Sequence, residues 1–497
     1  MKCIQAPLFF LCFILLAITS CSDEKQTEWI TYFDGTGTYS SPRVADLNKD
    51  GVLDIIMGAG GREDVYSDTA VVALDGATGK LLWKLSGENQ FVGSAIFKDI
   101  NRDGIPDVFI GGRWAELAAI NGADGTPLWK FFPGRTRPNP ADSGWYNFTT
   151  PQWVADQDGD GLEDLIIANG GNPLVPPFDP VRPAGRILVL SSKTGKILAN
   201  VTVPDGKETY MSVVVLDKYS NGNPVLLLGT GGETIGGHLY RTSLKEIMQG
   251  NISDAKVLSS STTKGFIAPP VYADLTGDGI YDLLVNAVDG RMIAIDGASD
   301  SMLWQLHFPN TEAYTTPAVG FFNSDSVPDV FCNFAIGTFP HLTRSIRFMA
   351  DGKTGHIQYQ DTVPSFQYAS PVVADLNGDG ADEVLMYQSD MKRKPQGDVY
   401  FSYLQVFDFK NNRRYAIGDP LPATNLAATP WIGDLDHDQK IDVVYSAVKY
   451  HDVTFDLQQP RGLYIGRYST QAVIKKPVHW GAYMGSRYTG VFPTKGY

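Results

Sequence analysis

Asp46-Leu47-Asn48-Lys49-Asp50-Gly51-Val52-Leu53-Asp54, running straight into Ile55-Ile56-Met57-Gly58, is the stretch on which the reading of this chain turns. Acids or amides stand at loop positions 1, 3 and 5, glycine at 6 and a carboxylate at 9, and a short apolar strand follows at once. The pattern returns as Asp99/Asn101/Asp103/Asp107, Asp156/Asp158/Asp160/Asp164, Asp274/Thr276/Asp278/Asp282, Asp375/Asn377/Asp379/Glu383 and Asp434/Asp436/Asp438/Asp442. Two eroded copies begin at Asp217, which keeps Asn221, and at Phe321, which keeps Asn323, Asp325 and Asp329. The first positions, 46, 99, 156, 217, 274, 321, 375 and 434, lie 47 to 61 residues apart. That is the length of four short strands with their turns, one blade of a β-propeller.

The flanks of each loop agree. Pro42, Pro270, Pro317, Pro371 and Pro430 each stand four residues before a first loop position, and proline is tolerated as the first residue of a strand. Farther on comes a glycine turn before an outer strand, clearest in Asp75-Gly76-Ala77-Thr78-Gly79-Lys80-Leu81-Leu82-Trp83. The chain is therefore expected to be all-β: an eight-bladed propeller of four-stranded antiparallel blades, with seven blades as the alternative. The acidic loop resembles the FG-GAP (integrin-type, VCBS-like) repeat, and the Asp-Gly-x-Thr-Gly-Lys-x-x-Trp turn resembles the quinoprotein-like propeller repeat. The resemblance covers nearly all of residues 29–480. Trp29 precedes Pro42 by thirteen residues, as Trp304 precedes Pro317. Residues 29–33 are thus expected to close the ring as the outer strand of the last blade. The segment from His479 to Gly485 is then an extra cover or, alternatively, the closing strand itself.

Hard oxygen ligands alternating through a tight loop are the layout that wraps calcium, and no His or Cys belongs to the set. The competing reading, a plain Asp-Gly turn, does not call for three or four converging acids. About six structural calcium sites are expected, one in each intact loop, with the Asp217 and Phe321 copies read as simple turns. The formal charge of −14 then becomes largely ligand charge, and it argues against nucleic acid as a partner.

The start of the chain reads as an export signal. Lys2 precedes an apolar run from Leu8 to Ile18 that ends in Ile18-Thr19-Ser20-Cys21, too short for a spanning helix. It resembles a bacterial lipoprotein processing signal. Residues 1–20 would be removed, Cys21 lipidated and 21–28 left as a tether, with acidic residues similar to a Bacteroidetes surface tag. A propeller over 29–480 and a tail over 481–497 packing on it complete the division. The expected location is the bacterial outer membrane, periplasmic or surface-exposed. Only Cys332 then remains, so no intrachain disulfide can form and stability must come from core and metal.

Strand order puts the acidic loops on one face and the long insertions, 131–150, 169–185, 387–402 and 446–462, on the other. Long loops on a rigid scaffold are where binding resides. This face is expected to carry Arg62, Tyr66, Arg113, Trp114, Arg135, Arg137, Trp145, Tyr146, Phe178, Arg182, His341, Arg393, Tyr450 and His451, arginines beside aromatics that suit a glycan or a cell-envelope protein. The expectation is a non-catalytic binding or assembly module. The alternative is a carbohydrate-active enzyme such as a polysaccharide lyase. The quinoprotein resemblance raises a third reading, a quinone-dependent dehydrogenase, but those enzymes carry a vicinal cysteine pair and Cys332 stands alone; no quinone is expected.

Overall fold

The computed structural model describes residues 26–131, 145–172, 175–176, 178–217, 223–323, 325–365, 367–394, 397–450 and 459–493. Their strands form eight separate antiparallel sheets. The first comprises β2 (Arg43–Ala45), β3 (Asp54–Gly58), β4 (Ser67–Leu74) and β5 (Leu81–Gly87), paired in that order. Seven more inner strands repeat the role of β2: Ile96–Lys98, Gln152–Val154, Val214–Leu216, Val271–Ala273, Ala318–Gly320, Val372–Ala374 and Trp431–Gly433. The copy at Asp217 therefore marks a blade even though its loop is eroded. Among the described residues a short helix, α1 (Leu244–Met248), sits at the end of the fourth blade's third strand, started by a Ser243–Glu246 capping box.

The second strand of each blade is apolar on both faces because each face meets a different neighbour. Ile56, with Val71 and Ala73, packs on Val108, Ile110 and Ala118 of the second blade. Ile55 and Met57, one residue out of phase, pack with Val72 on Val444, Leu463 and Ile465 of the eighth. The core is thus a set of layers between blades.

The ring closes as the tryptophan spacing implied. Strand β1 (Gln26–Asp34) lies antiparallel along β34 (Gly462–Val473), with Trp29 opposite Arg467 and Phe33 opposite Leu463, as the outer strand of the eighth blade. Its indole also explains the glycine turn. Trp29 Nε1 donates to Gly76 O of the next blade at 3.0 Å, just as Trp83 reaches Gly122, Trp129 Ser192 and Trp304 Gly352 at 2.7–2.8 Å. The ring of each Trp presses on the turn so closely that a Cβ on Gly79 would lie 2.4 Å from Trp29. Gly79 also has φ +68°, so glycine is required there twice over.

Nearer the axis a second stitch runs from blade to blade. Two residues before the inner strand, seven of the eight blades have a buried hydroxyl, and six of these accept the backbone N–H of their counterpart in the preceding blade. Ser41 N donates to Ser94 Oγ (3.2 Å), Ser94 N to Thr150 Oγ1 (3.0 Å) and Thr150 N to Ser212 Oγ (3.2 Å). On the far side Thr316 N donates to Ser370 Oγ (3.0 Å), Ser370 N to Thr429 Oγ1 (3.1 Å) and Thr429 N back to Ser41 Oγ (3.0 Å). The gap falls at the fifth blade, where the equivalent residue is Pro269, which has neither donor nor hydroxyl.

The tail crosses the axis. Inner strands have a free edge, and the backbone of residues 480–492 pairs with three of them. Val373 N donates to Trp480 O (2.8 Å), Ile432 N to Gly481 O (2.7 Å) and Tyr272 N to Gly490 O (2.9 Å), while Phe492 N donates to Tyr272 O (2.8 Å). Trp480, 1% exposed, and Met484 are buried there. The Tyr483 phenol lies against the Ser212 and Thr316 hydroxyls, on either side of the break at Pro269.

Because Trp29 both fills an interblade layer and closes the ring, Trp29→Ala should cost about 3 kcal/mol and Trp29→Phe only about 1 kcal/mol, the net worth of the indole hydrogen bond. Denaturant unfolding measures both, and equal midpoints for wild type and Trp29→Ala would contradict this account of closure.

Candidate functional site

On the face of the acidic loops, the nine positions divide the work. The position-9 carboxylate is buried and ties the loop to the strands. Asp54 accepts Leu47 N (2.8 Å) and Gly76 N (3.0 Å), and Asp282 accepts Leu275 N, Thr276 N and Gly297 N at 2.8–2.9 Å. Position 1 closes the loop, as when Asp99 accepts Arg102 N and Gly104 N (2.9 Å for the latter) and Asp156 accepts Gly159 N and Gly161 N (2.7 and 2.8 Å). Asn101 and Asp103 then accept the amides of positions 5 and 7. Each carboxylate keeps a second set of lone pairs.

Three carboxylates converge within 4.8 Å in four loops: Asp156/Asp158/Asp164, Asp325/Asp329/Asp351, Asp379/Glu383/Asp408 and Asp434/Asp436/Asp442. The second of these falls in the Phe321 copy, expected above to be a simple turn. There Asp351, from the neighbouring glycine turn, supplies the third carboxylate in place of the missing first acid; in the seventh blade Asp408 supplies the third carboxylate although Asp375 holds position 1. The loops beginning at Asp46, Asp99 and Asp274 form no such group among the described residues; Asn48 instead donates to Asp50 Oδ2 and Asp75 Oδ2, both at 3.1 Å. In the eighth blade a side chain already supplies positive charge. Arg467 donates to Asp442 Oδ1 from Nε (3.1 Å) and Nη2 (3.0 Å), and Nη2 reaches Asp436 Oδ2 at 2.5 Å. Asn377, Asp375, Asp278, Asp107, Asp160 and Asp438 take their places in the remaining loop positions.

The opposite face differs from the expectation of displayed aromatics. Trp114, Tyr146 and Tyr450 are buried, packing the connections against the barrel, and Trp114 sits against Tyr146 with ring centroids 6.2 Å apart. Trp145 packs edge-on against Phe131 and beneath Arg186. Arg62, exposed, pairs with Asp64 at 2.8 Å. Tyr66, Phe178 and His341 are exposed, the last at the tip of the hairpin joining β25 (Asp329–Thr338) to β26 (His341–Ala350). Cys21, Arg135, Arg137, Asn221 and His451 lie outside the described residues, as does the side chain of Arg393.

What gathers on this face is a ring around the axial mouth, built by strand periodicity. Residues two and four positions before each inner hydroxyl share its side. Two positions before come Tyr39, Tyr210, Tyr314 and Tyr368; four before come Glu208 and Glu312. The connections between second and third strands add Glu63, Arg113, Arg182 and Glu233 from four successive blades. Arg113 Nε meets Glu63 Oε2 at 2.8 Å, Arg182 Nε lies 3.9 Å from Glu208 Oε2, and Lys264 Nζ pairs with Glu312. Tyr210 OH donates to Glu208 Oε2 (3.1 Å) and Tyr314 OH to Glu312 Oε2 (2.5 Å); Tyr314 and Tyr368 stack edge to face at 4.7 Å.

Burial, followed by the nearby Glu233 and Glu312 charges, holds the Tyr314 and Tyr368 phenols well above their ordinary range, so both stay protonated. Glu233 is raised by burial and by Glu312, against the pull of Arg113 and Arg182. Every cation of the ring thus has a carboxylate beside it, and the phenols are hydrogen-bond donors. The signal for the ring's tyrosines was in the sequence, in the recurrence of Tyr39-Ser-Ser41-Pro42, Tyr314-Thr-Thr316-Pro317 and Tyr368-Ala-Ser370-Pro371, which lies in the short connections; of the long insertions, 169–185 contributes the expected Arg182.

Eight antiparallel blades, acidic loops on one face and a polar ring at the mouth of the other define an eight-bladed β-propeller. The chain belongs to the FAM234A/B beta-propeller family, whose model matches residues 29–387. No curated protein matches it. Among solved structures, it resembles a europium-containing methanol dehydrogenase (TM-score 0.55, 11% identity, 90% of this chain and 93% of that one). It also resembles the exotype rhamnogalacturonan lyase YesX (TM-score 0.54, 13% identity, 90% and 73%). A third is the quinohemoprotein alcohol dehydrogenase ADHIIG from Pseudomonas putida HK5 (TM-score 0.52, 14% identity, 92% and 79%). At such identities the likeness is one of fold.

Burial lifts the position-9 acids, Asp54 and Asp164 to about 6, Asp329 to about 7 and Glu383 to about 8. The folded protein therefore holds these protons more tightly than the unfolded chain. Their stabilisation is complete below the unfolded carboxyl values, near ~4, and is lost as pH rises through the folded ones. In excess chelator, the protein should melt higher at about pH 5 than at about pH 8; a thermal scan showing the reverse order would contradict this.

Proposed function

We propose that this chain is a calcium-stabilised, lipid-anchored β-propeller of the bacterial cell envelope that binds a glycan at its axial mouth without converting it. The observation that carries the reading is the pairing of Arg113, Arg182 and Lys264 with Glu63, Glu208 and Glu312. Cations already answered by carboxylates do not demand an anionic ligand. Together with protonated phenols they offer alternating donors and acceptors, and tyrosine faces to pack on, which suits a neutral, hydroxyl-rich chain. A protein partner of the envelope would use the same face through Tyr66, Phe178 and His341. The anchor is the lipid on Cys21, following the resemblance of its surroundings to a lipoprotein signal.

Calcium in the FG-GAP-like loops follows from the donor chemistry. The converging oxygens come only from carboxylates and amides, the hard ligands calcium takes. It would hold loop and strand together, stabilising the fold by mass action. The eighth blade differs, since Arg467 already answers Asp436 and Asp442. Chelation should lower the melting temperature of wild type, and Arg467→Leu should melt lower still in chelator yet regain much of the loss when calcium is added. A wild-type melt that ignores excess chelator would remove calcium from the account.

One observation favours a second reading, a carbohydrate-active enzyme. Glu233, with its raised pKa, is placed to hold or release a proton beside Tyr314 and Arg182. Screening the soluble protein on a glycan array and assaying it on polysaccharides, neutral and acidic, separates the two. Saturable binding with no product is expected, with Tyr314→Phe and Arg182→Gln each weakening it by about tenfold, ~1.4 kcal/mol. Turnover of any polysaccharide, abolished in Glu233→Gln, would replace the binding reading with the enzymatic one.

A further inference from the structure

Arg43 is the first residue of β2 and points to the axis, one tier below the hydroxyl stitch that includes Ser41. It is 0% exposed. The residues at the same register in the other blades are Ile96, Gln152, Val214, Val271, Ala318, Val372 and Trp431, so the tier offers almost nothing that accepts a hydrogen bond. Tyr488 from the tail covers one face of the guanidinium, with Cζ 3.7 Å from the ring centroid, and Tyr483 lies at 5.8 Å. Aromatic faces satisfy the charge from above, but the five N–H groups of an arginine point outward in its plane. None of Nε, Nη1 and Nη2 finds an acceptor among the described residues.

The other buried arginines show what this fold normally does. Arg347, 1% exposed, meets Asp361 and donates to Gln388 Oε1 at 2.9 Å. Arg467 meets Asp436 and Asp442. The groups that act electrostatically on Arg43 are the two phenols, and no carboxylate is among them. Burial lowers its pKa only to about 10, so it is charged at neutral pH. A charge taken out of water without an opposite charge is strongly unfavourable.

We propose that a small monovalent inorganic anion is bound on the propeller axis, in the plane of the Arg43 guanidinium, between the inner strands and the tail. The tail then does more than cover the channel. Tyr488 roofs the guanidinium and Tyr483 lies beside the break at Pro269, so the ion is enclosed when the tail docks.

The test uses the full chain and bromide as the probe. A crystal grown or soaked in bromide should show an anomalous peak within hydrogen-bond distance of the Arg43 nitrogens. At constant ionic strength, wild-type melting temperature should rise when a larger organic anion is exchanged for bromide, and Arg43→Met should lose that response. If Arg43→Met does not fold, the anomalous map on wild type decides. Water alone or a peptide carboxylate at the guanidinium edge overturns the proposal, and so does an anion response that Arg43→Met retains.

Discussion

The backbone amide just ahead of each inner strand has no partner inside its own blade, and a buried amide without an acceptor is costly. This fold answers with hydroxyls at that level that take a neighbour's N–H, in two runs, from Ser41 through Ser94 and Thr150 to Ser212 and from Thr316 through Ser370 and Thr429 back to Ser41. The spacing of blades about the axis is thereby set by a hydrogen-bond length and not by side-chain packing alone. Where Pro269 interrupts the series, the tail brings the Tyr483 phenol between Ser212 and Thr316. The tryptophan contacts at the rim, Trp29 to Gly76 among them, repeat the same logic at larger radius.

With radius and blade order fixed, the two faces are free to diverge. On one, acids serve the strands: position 9 reaches inward to backbone amides, and the remaining lone pairs are left facing outward. On the other, residues in strand phase with the hydroxyls rise toward the mouth as a tier of tyrosines and then a tier of glutamates, met by charged residues from the neighbouring connections. A buried charge in this molecule is nearly always answered within a few ångströms by its opposite, as in the Lys264–Glu312 and Arg347–Asp361 pairs.

Repetition made the blades legible in the sequence. Eight copies in register identified the loops, the glycine turns and even the closing role of Trp29, because a strict period carries a geometric constraint. The Asp325 group was missed because the acid that completes it, Asp351, is distant in sequence and adjacent only across the blade. Arg467 was missed for the same reason, since nothing in the linear order says that a third-strand residue lies over the loop at Asp434. Of the mouth, Arg113 and Arg182 were read from the sequence, but its tyrosines and glutamates escaped because most of them sit in brief connections that look like ordinary strand edges. Burial of Trp114, Tyr146 and Tyr450 reversed an assignment made from residue type, for an aromatic beside an arginine is as good a packing pair as a binding pair.

The pairing of β1 with β34 has a further meaning in time. A sheet joined from the two ends of the sequence cannot form until the whole chain is available, and contacts of such separation form slowly. During synthesis, seven blades can assemble while the third strand of the eighth waits with its outer edge unpaired, an exposed edge of the sort that recruits other chains. The interval before Gln26–Asp34 finds Gly462–Val473 is thus the stage at which this fold leaves a long strand edge open to other chains.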